Sequence, residues 1–177
     1  MLTLEVPGAE YFDPETNEFN YAEGRVLHLE HSLFSISKWE MKWKKAFLNS
    51  RKTEEETLDY VRCMCDEDVD ISVLARLTAD DWERIGAYLN DPMTATTFGK
   101  DSGPKRNKKV TSEEIYFMMA EYGVPFECDK WHFNRLMTLL KVCGIRKGPQ
   151  KKVSRGDALR HQAALNAARR AKSGSKG

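Results

Sequence analysis

Three aromatic residues, Trp39, Trp43 and Phe47, repeat at every fourth position of the chain. This spacing puts them on one side of an α-helix, which we predict to run from Ser32 to about Leu48. The opposite side of the helix carries the basic residues Lys38, Lys42, Lys44 and Lys45. The aromatic stripe predicts a helix face buried in a core, and any part of it left exposed would form a groove for a partner.

The first 31 residues have the two-residue period of β-strands instead. Leu2, Leu4 and Val6 alternate with polar residues, and a second apolar run spans residues 26–29. Turn-forming residues lie between the two runs, at positions 13–17. We therefore predict a small hairpin or sheet of two or three strands at this end of the chain.

Helix-capping residues mark the remaining elements. Thr53 with Glu56 and Thr111 with Glu114 have the spacing of a capping box, which opens a helix. Two further helices are predicted to begin at Thr78 and Asp129, and helix ends are predicted at Gly123 and Gly144. The fold class that follows is α+β and mainly α. A β element over residues 1–31 precedes a helical body over 32–145 and a basic helical tail over 146–177.

The charge distribution separates the tail from the rest of the chain. Residues 141–177 contain 11 Lys and Arg and one acid, a net charge of +10, whereas residues 1–140 carry a net charge of −9. Such a tail suits an acidic protein surface or a phosphate backbone. The residues predicted to contact a partner are Trp39, Trp43, Arg155, Arg160, Arg169 and Arg170.

Catalytic and metal-binding motifs give no positive signal. The sequence has no phosphate-binding glycine loop, no nucleophile elbow and no His-Glu-x-x-His motif. Cys128 and His132 could form a zinc site with Cys63 and Cys65, but this spacing belongs to no known finger, and buried reduced thiols are the favoured interpretation. The acids at 66–70 lack the glycine and the glutamate of a calcium loop. We therefore predict no enzymatic activity, no metal and no cofactor.

No apolar run approaches the roughly 18 residues that a membrane span requires. The first residues have neither the basic flank nor the apolar stretch of a signal peptide. We therefore expect a cytosolic protein that has no membrane partner.

Several short sequence segments, spread over nearly the whole chain, resemble those of a known family. They are LEHSL at 29–33, SKWE at 37–40, DPMTAT at 91–96, PFEC at 125–128, KWH at 130–132, NRL at 134–136 and ALNAARRAK at 164–172. Together they resemble small proteins encoded among the tail genes of long-tailed bacteriophages, a family that we identify as tail assembly chaperones.

The resemblance implies a non-enzymatic role in the host cytoplasm. Such chaperones bind the tape measure protein, keep it soluble and help the tail-tube protein to polymerise around it, and they are absent from the finished virion. A homo-oligomer is compatible with this role. The alternatives are a structural virion protein, such as a tail or head–tail connector component, and a nucleic-acid-binding accessory protein that acts through the basic tail.

Overall fold

The computed structural model describes residues 1–98, 110–147 and 155–173. The strands are β1 (Leu2–Val6), β2 (Ala9–Asp13), β3 (Glu18–Ala22) and β4 (Arg25–Leu29). The α-helices are α1 (Leu33–Trp43), α2 (Glu54–Met64), α3 (Ile71–Leu74), α4 (Ala79–Asn90), α5 (Ser112–Tyr122), α6 (Phe133–Lys147) and α7 (Arg155–Ser173). This composition confirms the predicted α+β, mainly helical fold class.

The strands number four, rather than the two or three predicted, and they form two antiparallel two-stranded sheets that follow one another along one ribbon. β1 pairs with β4 in antiparallel fashion, with Leu2 opposite Leu29, and β2 pairs with β3, with Ala9 opposite Ala22. In both sheets the sequence numbers of two opposed residues add up to 31. The register of the first sheet therefore continues unchanged in the second, across the interruption at residues 7–8 and 23–24. The ribbon therefore has a base, β1–β4, and a distal part, β2–β3, which we call the arm (residues 9–22).

The base and the arm have opposite relations to the helices. Leu4, Val6, Leu27 and Leu29 of the base are buried, whereas the arm exposes its large side chains. Arg76, just after α3, holds the junction by donating hydrogen bonds to the carbonyl oxygens of Pro7 (2.8 Å), Glu23 (3.2 Å) and Ala22 (3.5 Å). The arm is thus fixed at its root by a side chain of the helical part.

The chain divides into two units, Met1–Gly144 and Ile145–Gly177. In the first unit the ribbon base and helices α1 to α6 share one core, whose most enclosed side chains are Leu4, Leu29, Leu33, Ile36, Trp39, Met64, Leu74, Ile85, Ile115, Met119 and Leu136. In the second unit α7 exposes every side chain that the structure describes, including Leu159 and Leu165. The linker predicted at 148–150 and the helix start predicted at Ser154 lie outside the described residues.

Helix α1 is shorter than predicted. It ends at Trp43, because Lys44 adopts a left-handed conformation (φ 55°). The chain then turns back through a 3₁₀ turn at Phe47–Asn49. The ring of Phe47 nevertheless returns to Trp39, with ring centroids 5.2 Å apart, so the aromatic stripe survives although the helix does not extend to its last member.

The capping box predicted at Thr53 with Glu56 is confirmed, and the one predicted at Thr111 with Glu114 is wrong. Thr53 and Glu56 bond reciprocally, and Thr78 caps α4 as predicted, with Asp81 as its partner. Thr111 makes no capping hydrogen bond, and at this helix start the buried carboxylate of Glu40 accepts the Ser112 backbone N–H at 2.7 Å.

Two predictions about α6 are also wrong. Asp129 does not cap the helix but lies in a 3₁₀ turn, where it accepts a hydrogen bond from the Tyr116 hydroxyl (2.9 Å). Helix α6 begins at Phe133 and does not stop at Gly144. A Cβ at Gly144 would lie 3.1 Å from the Tyr122 hydroxyl oxygen, so close packing rather than helix termination accounts for this glycine.

We expect Glu40→Gln to lower the free energy of unfolding by about 2 kcal/mol. The Glu40 carboxylate accepts two backbone N–H groups, from Phe47 through Oε1 (2.7 Å) and from Ser112 through Oε2 (2.7 Å). A glutamine keeps one acceptor and turns an NH₂ donor toward the other N–H. Urea unfolding followed by circular dichroism measures the loss, with Glu83→Gln on the exposed side of α4 as the matched control. Equal stability of the two variants would contradict the bridging role of Glu40.

Candidate protein-binding site

His31 and His132 form a cluster with Tyr60 and Tyr88 between β4, α2, α4 and α6. His31 Nδ1 lies 2.5 Å from the Tyr60 hydroxyl, and the rings of His31 and His132 are 5.2 Å apart. His132 Nε2 lies 3.0 Å from the Tyr88 carbonyl oxygen, which can only accept, so Nε2 carries the proton. Both histidines and Tyr60 are buried, so they cannot touch a substrate in this fold.

The ionisation of this cluster follows from its burial. Burial, reinforced by the charge of His132, lowers the pKa of His31 to about 4. Burial also raises the pKa of Tyr60 well above its usual value. Both side chains are therefore neutral at pH 7, which fits a packed structural contact between elements.

Cys63, Cys65 and Cys128 lack the features of nucleophiles. Burial raises the pKa of Cys65 to about 11 and also raises the pKa values of Cys63 and Cys128. These thiols are protonated at neutral pH and correspondingly unreactive. In the part of the chain that the structure describes, no three His, Cys, Asp or Glu side chains come together in a way that could hold a metal ion.

The aromatic stripe is part of the core. Trp39 is 0% exposed, and its indole N–H donates to the Glu56 carbonyl oxygen at 2.8 Å. Trp43 is partly buried and donates to the Asp59 carboxylate at 2.8 Å. The core interpretation of Trp39 is therefore confirmed, and its enclosed side chain does not fit the predicted partner contact. Trp43 and Phe47 keep some accessible surface.

Two of the four lysines predicted opposite the aromatic stripe form ion pairs with acids of α2. Lys42 pairs with Asp59 at 2.5 Å, and Lys45 pairs with Glu56. Because Glu56 and Asp59 are buried, these lysines help to neutralise acids inside the fold, where Asp59 also lies 3.8 Å from Arg62 Nε. These two lysines therefore stabilise the contact with α2.

The arginines predicted as partner contacts share helix α7. Arg160, Arg169 and Arg170 are exposed along it, while the side chain of Arg155 lies outside the description. Leu159 and Leu165 are exposed on the same helix. The side chains of this 19-residue helix that the structure describes are all exposed, and helices gain most of their stability from packing, so α7 has the character of a segment that gains stability on a partner.

The arm is the most prominent apolar surface of the first unit. Tyr11, Phe12, Phe19 and Tyr21 are between 48% and 78% exposed. Phe12 and Phe19 are directly opposite in the register, with ring centroids 5.2 Å apart. Four large aromatic rings on a projecting hairpin are typical of a surface that contacts another protein.

Sequence reasoning missed these four residues. The turn at 13–17 was predicted. Because Pro7 and Gly8 end the first apolar run, no strand was predicted between Gly8 and that turn. The available signal was the pair of aromatic residues on each side of the turn, at 11–12 and at 19 and 21. Phe12 and Phe19 are opposite each other across the hairpin and Tyr21 lies on the same face, so three of the four form an aromatic cross-strand patch.

A second apolar surface lies on α5. A groove of about 460 Å³ is lined by Val110, Glu113, Glu114, Phe117 and Met118. Phe117 is 68% exposed, as accessible as the arm residues, but among the described residues it is the only aromatic ring in the lining of this groove. The α5 groove is therefore the weaker of the two candidate surfaces.

Among the described helices, none combines the length and the apolar character that crossing a membrane requires. Comparisons with protein-family models, curated proteins and solved structures find no match for the chain. The case for a function therefore depends on the arm, on α7 and on the segments quoted from the sequence.

Proposed function

We propose that this chain is a non-enzymatic assembly chaperone of a bacteriophage tail, which binds the tape measure protein in the host cytoplasm. The observation that supports it is the arm, with four exposed aromatic side chains on a hairpin fixed by Arg76. Exposed aromatic clusters of this kind favour association, because covering them removes apolar surface from water.

The charges of the arm favour a protein partner over a nucleic acid. Residues 9–22 contain four acids and no base, so a phosphate backbone would be repelled. The exposed arginines of α7 are the part of the described chain that suits phosphates. A nucleic-acid-binding accessory protein is therefore the second candidate, and it requires binding through α7 that weakens steeply with salt.

The identity of the partner as the tape measure protein comes from the sequence resemblance. A tape measure protein is a long helical chain, and an exposed apolar surface beside acids is suited to covering amphipathic segments until assembly. A structural tail or connector protein would use the same surface, but it would remain in the particle. Retention in the virion is therefore the property that separates these two roles.

Co-expression with the tape measure protein of the same genome tests the proposal. We expect the tape measure protein to be soluble only when it is co-expressed with this chain, and to co-elute with it in size-exclusion chromatography. We also expect purified virions to lack the chain. Failure to associate, or presence of the chain in virions at a fixed number of copies, would contradict the chaperone role.

A further inference from the structure

We propose that the arm binds an arginine-containing, partly apolar segment of the partner protein, with the guanidinium groups placed over its aromatic rings. This inference rests on the proposed function for the presence of a protein partner, and it adds the binding surface and the chemistry that the partner must offer. The segment that binds the arm is basic and belongs to another protein.

The alternation of side chains along the arm creates two different faces. Glu10, Phe12, Phe19 and Tyr21 share one face, because Glu10 pairs with Tyr21 and Phe12 with Phe19 in the register. Tyr11 lies on the other face. The first face therefore presents three rings and a carboxylate together, and we call it the aromatic face.

An arginine suits this face better than other side chains do. Its planar guanidinium stacks on aromatic rings and simultaneously forms hydrogen bonds with a carboxylate, which a lysine ammonium does less well. This fold already shows the same kind of contact, since the guanidinium carbon of Arg135 lies 4.4 Å from the centre of the Trp131 ring. On the aromatic face, Phe12 and Phe19 would provide the rings and Glu10 the carboxylate.

Charge complementarity selects the class of partner. The four acids of the arm are Glu10, Asp13, Glu15 and Glu18, and the nearest base along the chain is Arg25. A basic segment would be attracted to this end of the ribbon, whereas an acidic segment, a nucleic acid or an anionic membrane would be repelled.

The arm is also organised before it binds. Arg76 holds its root through three carbonyl oxygens. A Cβ at Gly8 would lie 2.2 Å from the Tyr21 hydroxyl oxygen, so the glycine lets this ring lie against the backbone. A hairpin fixed in this way loses less conformational freedom on binding than a flexible loop does.

A labelled peptide measures the binding directly on the full chain. The probe is an amphipathic peptide of about 20 residues that combines Arg and Leu, and its control carries Glu at each Arg position. By fluorescence anisotropy we expect the Arg peptide to bind the wild type and the Glu peptide not to bind. Affinity should fall at least several-fold from about 50 to about 300 mM salt, since the attraction is electrostatic.

Substitutions then place the site. We expect F12A/F19A to weaken binding of the Arg peptide by about tenfold or more, as loss of central aromatic contacts does. Glu10→Gln should weaken it several-fold, and Phe117→Ala should leave it unchanged. Because these side chains lie outside the core, the variants should keep the circular dichroism spectrum of the wild type.

Three results would overturn the inference. They are equal binding of the Arg and Glu peptides, full binding by F12A/F19A, and loss of binding in Phe117→Ala alone, which would move the site to the α5 groove. Arm-dependent peptide binding without any association with the tape measure protein would refute the proposed function and leave this inference standing.

Discussion

Trp39→Ala is expected to lower the free energy of unfolding by about 4 kcal/mol. The indole is 0% exposed, and it packs against Phe47 with ring centroids 5.2 Å apart. Its removal leaves a cavity in the middle of the first unit and a Glu56 carbonyl oxygen without its donor. Urea unfolding followed by circular dichroism gives the difference.

Two further variants separate the causes. Trp39→Phe keeps most of the packing and loses the indole donor, so it should cost about 1–2 kcal/mol. Met41→Ala, two positions along the same helix and 68% exposed, should stay within about 0.5 kcal/mol of the wild type. If Trp39→Ala were as stable as Met41→Ala, Trp39 would not be part of the core and its predicted role as a partner contact would return.

The stability of the first unit is expected to fall by about 2–3 kcal/mol as the pH is lowered from about 6.5 to about 4, through His31 alone. The folded-state pKa of His31 is about 4, against 6.5 for the ordinary side chain. In this window the unfolded chain takes up a proton that the folded chain excludes, so acid favours unfolding. Below the folded-state pKa both states are protonated and this contribution levels off.

A variant isolates the histidine from the carboxylates that titrate in the lower part of the same window. His31→Gln has no imidazole to protonate, so its stability should depend less on pH by about the same 2–3 kcal/mol. His28→Asn, a substitution on β4 outside the cluster, controls for loss of a histidine as such. Identical pH profiles for the wild type and His31→Gln would show that His31 is not held neutral by burial.

Much of the fold could be predicted because its signals are local. The β period of Leu2, Leu4 and Val6 and the capping box of Thr53 and Glu56 involve residues within a few positions of each other. Short-range patterns of this kind depend little on the rest of the chain.

The errors have long-range causes. The helix start at Ser112, where a capping box with Thr111 was predicted, is instead bound by Glu40, which accepts the Ser112 N–H across 72 residues. Gly144 is needed for contact with Tyr122 rather than for ending a helix. Neither partner could be inferred from the spacing of neighbouring residues.

The candidate site was only partly accessible to sequence reasoning. The basic character of α7 was visible in the composition, whereas the arm depends on a register that continues past Pro7 and Gly8. Trp39 shows the opposite limit. The spacing of Trp39, Trp43 and Phe47 predicts a helix face but does not show whether that face contacts the core or a partner protein. The burial of the Trp39 side chain shows that this residue belongs to the core.

The most direct test is the soluble fraction of the tape measure protein when it is co-expressed with wild type, with F12A/F19A or with Phe117→Ala. Wild type and Phe117→Ala should keep it in solution, and F12A/F19A should leave it in the insoluble fraction although the variant itself stays folded. A tape measure protein that is equally soluble with F12A/F19A would contradict a chaperone that acts through its arm.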